Sequence, residues 1–207
     1  MDFELILASQ SPRRSQLLRE AGFQFQSIAP QIEEKINPSW IPSVAVQELA
    51  RQKAEQVFKQ VFFQYSPQQR EKILILSADT IVALHNEILG KPENASHAYD
   101  MLWRLSRQKH RVLTGVCLWP LAWNQGLIGY AETYVTMRPM SDLEIHDYIN
   151  SGEAMGKAGA YAIQETADRF VQRLDGPWDN VVGLPVDLVR QFIQEWERVT
   201  SLRMQTW

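Results

Sequence analysis

Leu5-Ile6-Leu7-Ala8-Ser9-Gln10-Ser11-Pro12-Arg13-Arg14 reads as a short buried strand that passes through a tight turn into a helix. Ser11 is a natural N-cap, Pro12 suits the first helical position, and Leu17, Leu18 and Ala21 repeat at helical spacing until Gly22 stops them. The charges break a local rule. Two arginines occupy a first turn whose dipole is already positive, where a carboxylate would be worth about 0.3–1 kcal/mol. An anion over the exposed N–H groups removes the conflict, because guanidinium forks match phosphate oxygens. Two solvated arginines on an ordinary helix are the alternative.

Further along, Ile73-Leu74-Ile75-Leu76-Ser77-Ala78 reads as a fully buried strand of the parallel-sheet kind, ending at Asp79-Thr80, with a second apolar run from Ile81 to Leu84 and a turn at Asn86. Between these strands, a helix from Ser43 carries Val46, Leu49, Ala50, Lys53, Ala54 and Val57 on one face. Asn94 caps a helix bearing Ala98, Met101, Leu102 and Leu105. The second half turns to strands at Val112–Leu118 and Tyr130–Met137, a capping box at Ser141-Asp142-Leu143-Glu144 that opens a helix to Asn150, strands at Ala158–Ile163 and Phe170–Leu174, and a last helix after Pro185. Early alternation and later hairpins predict an α/β fold: one long mixed central sheet flanked by helices, forming two lobes with a cleft, as a single domain over 1–207.

Composition narrows the functions. With 207 residues, 45% of them hydrophobic, the chain can bury a real core, and a formal charge of −3 argues against a nucleic acid polymer as partner. No apolar run reaches the length of a membrane span and the start lacks signal-peptide character, so no membrane is expected and the cytoplasm is the default location. Cys117, the only cysteine, lies in an apolar run and reads as a buried core thiol. The four histidines are scattered, without an H-E-x-x-H pair.

The candidate chemistry is dispersed. Asp79, placed at a strand's carboxyl end, is suited to hold a divalent cation or take a proton from water, or else to cap a turn. Lys53 on its apolar face either snorkels to solvent or meets an anion. Glu33 and Glu34 follow Ile32 in a polar loop, as a solvated pair or as ligands. Lys91 and Lys157 each sit beside a glycine, where backbone can approach a ligand closely or simply turn. Gln164 can read a base edge or lie on the surface. Walker A and dinucleotide glycine patterns are absent.

Six motifs stand in order: Ser9-x-Ser11-Pro12-Arg13-Arg14, Ala78-Asp79-Thr80, Gly90-Lys91-Pro92, His110-x-Val112-x-Thr114-Gly115-Val116, Lys157-Ala158-Gly159-Ala160-Tyr161-Ala162-Ile163-Gln164 and Asn180-Val181-Val182-Gly183-Leu184-Pro185. In these the chain resembles the Maf family, named for septum formation in bacteria and related in fold to the inosine triphosphate pyrophosphatases. The resemblance implies a nucleoside triphosphate pyrophosphatase that cleaves the α–β phosphate bond with a divalent metal, Mg²⁺ or Mn²⁺, and that pairs as a homodimer. It implies Asp79 as proton acceptor, with Glu34, Lys53 and Lys91 as catalytic partners and Asp79 and Glu34 as metal ligands. Ser9, Ser11, Arg13, Arg14, Thr80, Lys157 and Gln164 fall to substrate binding. Arg13, Thr80 and Gln164 resemble the branch acting on dTTP and UTP. The alternatives are a house-cleaning pyrophosphatase for modified purine nucleotides and a nucleotide-binding regulator of cell division that hydrolyses nothing. The chain departs from the family in three places: the usual Ser-Gly-Arg is Ser106-Arg107-Gln108, the acidic residue before Lys157 is Gly156, and the glycine after Gln164 is Glu165.

Overall fold

The computed structural model describes residues 2–32, 36–164 and 166–205. Strand β1 (Glu4–Leu7) leads into helix α1 (Pro12–Glu20), whose N-cap is Ser11, with its hydroxyl accepting from the Arg14 N–H. A two-residue strand β2 (Gln26–Ser27) and helix α2 (Pro42–Val61) complete the crossover to β3 (Ile73–Leu84), which runs parallel to β1. A short helix α3 (Pro67–Arg70) precedes β3, and β4 (Glu87–Leu89) folds back on its far end. Helix α4 (Ala95–Leu105), strands β5 (Lys109–Pro120) and β6 (Leu127–Met137), helix α5 (Asp142–Asn150) and strand β7 (Val171–Asp175) follow. The described chain closes with α6 (Trp178–Val182) and α7 (Val186–Gln205).

The sheet has the order β2-β1-β3-β5-β6-β7, with β4 paired to β3. Its β1 flank is parallel and the pairings from β3 through β7 are antiparallel, as the change from alternating elements to hairpins predicts.

Side-chain alternation sorts the core. Ile75, Ile81 and Ala83 of β3 and Leu113 and Cys117 of β5 face α2, where Val46, Ala50, Ala54 and Val57 cover them. The opposite face carries two cores. Leu74, Leu76 and Ala78 pack with Leu17, Leu18, Val189, Ile193 and Trp196 of α1 and α7, whereas Val82 and Leu84 pack with Met101, Leu102, Leu105, Ile145 and Ile149 of α4 and α5. These two cores are the two lobes, and they meet at the level of Thr80.

Two expectations are corrected. Asp79 does not end a strand: β3 continues through the Asp79-Thr80 break for twelve residues, because β5 pairs with it from Leu74 to Ala83. Residues 158–163 are not a strand. Ala158–Ala160 forms a 3-10 turn in which Gly159 (φ 66°) and Ala160 (φ 61°) take left-handed conformations, and the Gly159 N–H donates to Gly90 O (3.0 Å) instead of to a ladder. The Phe170–Leu174 expectation is shifted by a residue, since Thr166–Phe170 is also a 3-10 turn.

Candidate active site

A gap in the sheet makes the site. On the β1 side of β3, pairing with β1 ends at Leu76 and pairing with β4 begins at Val82, so residues 77–81 have no ladder partner on that edge. Successive residues of a strand point to opposite faces, so at an open edge Asp79 and Thr80 border one cavity from two sides. That cavity, about 560 Å³, is also lined by the turn after β1 (Ser11, Arg13, Arg14), the turn after β4 (Gly90, Lys91), Lys53 of α2, and the arm Gly156 to Gln164. It lies outside the carboxyl end of β1, the place where open α/β sheets take ligands.

On the α2 face, Lys53 donates from Nζ to Asp79 Oδ1, and both residues are buried at 6% exposure. Lys53 therefore does not snorkel. Ser77, one step along β3, donates to Ala50 O (2.6 Å), and Gly115 of β5 lets the helix come close: a Cβ there would lie 2.1 Å from Val46 O. On the other face, the Arg14 guanidinium ties three elements together, donating to Gly183 O (2.8 Å), Thr80 Oγ1 (3.2 Å) and Ser9 Oγ (3.5 Å). Thr80 Oγ1 lies 2.9 Å from Thr114 Oγ1, and Thr114 donates to Asn180 O (2.8 Å). Asn180 Nδ2 in turn donates to Val112 O and Thr133 Oγ1, each at 3.0 Å. A polar chain thus crosses the sheet beneath the cavity and fixes its floor.

The structure brings Ser11, Arg13, Arg14, Lys53, Asp79, Thr80, Lys91, Lys157 and Gln164 to one cavity. Ser9 stands just behind it, bonded to the Ser11 N–H (3.1 Å) and to Arg14. Glu34 lies outside the described residues. Lys91 is exposed at the rim, and Gly159 N–H to Gly90 O joins the two lysine-bearing turns. Sequence reasoning did not give roles to Thr114, Asn180 or Gly183, or to the buried pair His110 Nε2···Tyr161 OH (2.7 Å), in which Tyr161 lines the cavity. The partners described above are 34 to 169 residues away along the chain, so no local spacing marks them. Burial holds the His110 imidazole down at about 4 and pushes the Cys117 thiol up to about 12. The buried-thiol reading of Cys117 stands.

A family profile described as "Maf-like protein" matches residues 4–196. The chain belongs to the Maf family. Among curated Maf relatives, a protein of Caldicellulosiruptor saccharolyticus named "dTTP/UTP pyrophosphatase" is 40% identical over 93% of this chain and 94% of its own. A Ruminiclostridium cellulolyticum protein of the same name is 41% identical over 92% and 95%. Among solved structures, a HAM1 protein from Coxiella burnetii aligns over 98% of this chain and 99% of its own, with a TM-score of 0.45 and 13% identity. No helix of the described residues is long and apolar enough to cross a membrane.

Of the departures from the Maf pattern, Arg107 has a visible cost. It stands where the resemblance above implies a glycine, and it takes a left-handed φ of 62°. Gly156 lines the cavity with open space around it and takes a left-handed φ of 74°, which a side chain there would adopt only under strain.

Among the described residues no group of three or more His, Cys, Asp or Glu side chains is placed to hold a metal ion. One buried carboxylate facing a cavity ringed by cations still fits Mg²⁺, which keeps several waters and is commonly held by one or two carboxylates together with substrate phosphates.

Proposed function

We propose that this chain is a nucleoside triphosphate pyrophosphatase acting on dTTP and UTP, splitting the bond between the α and β phosphates to give the nucleoside monophosphate and pyrophosphate. The observation that carries the reading is the convergence of Arg14, Lys53, Lys91 and Lys157 on one cavity that also holds the buried carboxylate of Asp79. A triphosphate needs that positive charge at its tail and an acidic oxygen at the reacting water. The Maf relatives named for dTTP and UTP support the substrate class.

In the reaction, the oxygen of a water attacks the α phosphorus in line as the oxygen bridging to the β phosphorus departs with pyrophosphate. Asp79 accepts the proton that the water loses. Lys53 holds the Asp79 carboxylate in place through its Oδ1 and lends positive charge to the phosphates, and Lys91 and Lys157 take charge that builds on the leaving group. Mg²⁺ would be held by Asp79, with Glu34 as a further ligand, and would supply electrostatic stabilisation of the phosphoryl oxygens. Arg13, Thr80 and Gln164 face the nucleoside end.

The test is a panel of triphosphates with Mg²⁺, products resolved as monophosphate plus pyrophosphate or diphosphate plus orthophosphate. The reading requires the first pair, with dTTP and UTP preferred over inosine and 7-methylguanosine triphosphates. Preference for the purines would move the chain to a different specificity, and binding without cleavage would make it a sensor. Folded Asp79→Asn releasing pyrophosphate near the wild-type rate would remove Asp79 as the base.

A further inference from the structure

The cavity at the sheet gap has a second basin, and the two share Pro12, Arg13, Ile163 and Gln164. The outer basin, about 610 Å³, is completed by Gln16, Asp168 and Trp178. It is much less positive than the inner one. Lys53, Lys91 and Lys157 line only the inner basin, whereas the outer one has an exposed carboxylate, Asp168, and an indole that is 45% exposed. A polyanionic tail is drawn to the three lysines of the first and is held less by the second, where Asp168 offsets Arg13, so a nucleotide whose tail lies by Lys53 sends its neutral base outward past Arg13 and Gln164.

The backbone on either side of Trp178 is held firmly. Trp178 opens α6, immediately after Pro177, whose carbonyl accepts from Thr133 Oγ1 (2.7 Å), and two residues before Asn180, which is bonded to Val112 and Thr133. An indole on a backbone fixed in this way, partly open to solvent, offers a flat π surface to a base.

Building on the proposed activity, we propose that Trp178 is the stacking platform for the nucleobase and so determines affinity, while Gln164 beside it reads the base edge. Every base has a π face, so Trp178 contributes to all triphosphates alike.

Trp178→Ala is expected to raise KM roughly 5- to 150-fold for dTTP, UTP and the poorer triphosphates together, the range that loss of one base–aromatic stack gives. kcat and the ratios between substrates stay within about twofold, because stacking is tolerant of base identity. Inorganic tripolyphosphate has no base, so its inhibition constant stays unchanged in Trp178→Ala. Trp178→Phe keeps a stacking ring and restores KM, yet it loses the fluorescence quenching that a non-cleavable α,β-methylene dTTP causes in the wild type. Tripolyphosphate inhibition weakened in step with KM would show that the variant acts through the phosphate end, and unchanged KM in Trp178→Ala would remove the platform while leaving the activity intact. If the wild type cleaves no triphosphate, the proposed activity falls, and quenching by the analogue in wild type but not in Trp178→Phe still decides the role of Trp178.

Discussion

Replacing Lys53 by methionine removes the ammonium opposite Asp79 while keeping most of the side chain's volume. The side chains of both residues are 8% exposed, so water screens the pair little. It therefore belongs with buried pairs, whose single truncation costs about 3–5 kcal/mol, and not with surface pairs worth about 0–1 kcal/mol. For a chain of this length that is a fall in Tm of roughly 6–20 °C. The cost comes from the carboxylate left desolvated, not chiefly from the attraction lost. A second change that removes the carboxylate should then rescue the first: Lys53→Met/Asp79→Leu is expected to lie within about 1 kcal/mol of the wild type. Activity should not follow stability, with pyrophosphate release from dTTP at least about 100-fold down in Lys53→Met, in Asp79→Leu and in the double variant, as loss of a catalytic base or of the cation that positions it gives. Urea unfolding followed by tryptophan fluorescence measures the first quantity and a coupled pyrophosphate assay the second. A double mutant as destabilised as the sum of the two single ones would refute the reasoning, because it would mean that the residues do not act as one buried unit.

The remaining expectations concern the frame around the site. Gly115→Ala places a Cβ 2.1 Å from Val46 O, and helix backbone cannot give way cheaply, so about 3 kcal/mol or more should be lost in urea unfolding, with activity falling as α2 carries Lys53 off Asp79. His110 has a folded pKa of about 4, below the ordinary 6.5, so the unfolded chain binds its proton first: stability is complete above about pH 6.5 and is lost as the pH falls towards 4, by roughly 3 kcal/mol, a slope that His110→Gln should flatten in urea midpoints taken from pH 7 to 4.5. Arg107→Gly relieves a left-handed non-glycine backbone and should raise stability by about 0.5–1 kcal/mol, read as a higher Tm. Cys117, fully buried with its thiol pushed up to about 12, should react with a thiol reagent only on the timescale of unfolding, which a comparison of native and urea-treated protein would show.

What the sequence made legible was what is locally determined. Ser11, Pro12 and the Leu17-Leu18 pair mark α1 within ten residues, and Ser141 with Glu144 marks α5, because caps and amphipathic stripes involve neighbours along the chain. The length of β3 was not legible. Two polar residues inside an apolar run look like a strand end, and only the structure shows that Asp79 is met by Lys53 and Thr80 by Arg14 and Thr114, which lets the strand continue. The arm from Lys157 to Gln164 failed for the opposite reason: its small and apolar residues have strand composition, but Gly159 and Ala160 are left-handed, with the Gly159 N–H bonded to Gly90 O and the Ala160 N–H turned back to Lys157 O. Thr114-Gly115 and Asn180 could be recognised as motifs without any reason being visible, since their reasons are a helix packed across the sheet and hydrogen bonds to strands far away in sequence.

The open edge of β3 explains why so many dispersed residues reach one cavity. Had β1 continued beside residues 77–81, the ladder would have closed the gap and put the Asp79 side chain under α2 and the Thr80 side chain under α1 and α6, on two faces with no common solvent. Ending β1 at Leu7 instead frees the chain at Ser9 to Arg14 to turn across the gap, and starting β4 at Glu87 leaves Gly90-Lys91 to close it from the other lobe. The strand's alternation then separates the chemistry. Lys53 and Asp79, which the proposed reaction uses at the phosphates, lie towards α2, while Arg14 and Thr80 lie towards α6, where Trp178 borders the outer basin. A shift of β3 by one residue would exchange Asp79 and Thr80 between these faces, setting a carboxylate against Thr114 and a hydroxyl against Lys53. The long antiparallel pairing with β5, in which Asp79 lies opposite Gly115 and Thr80 opposite Thr114, is what holds that register.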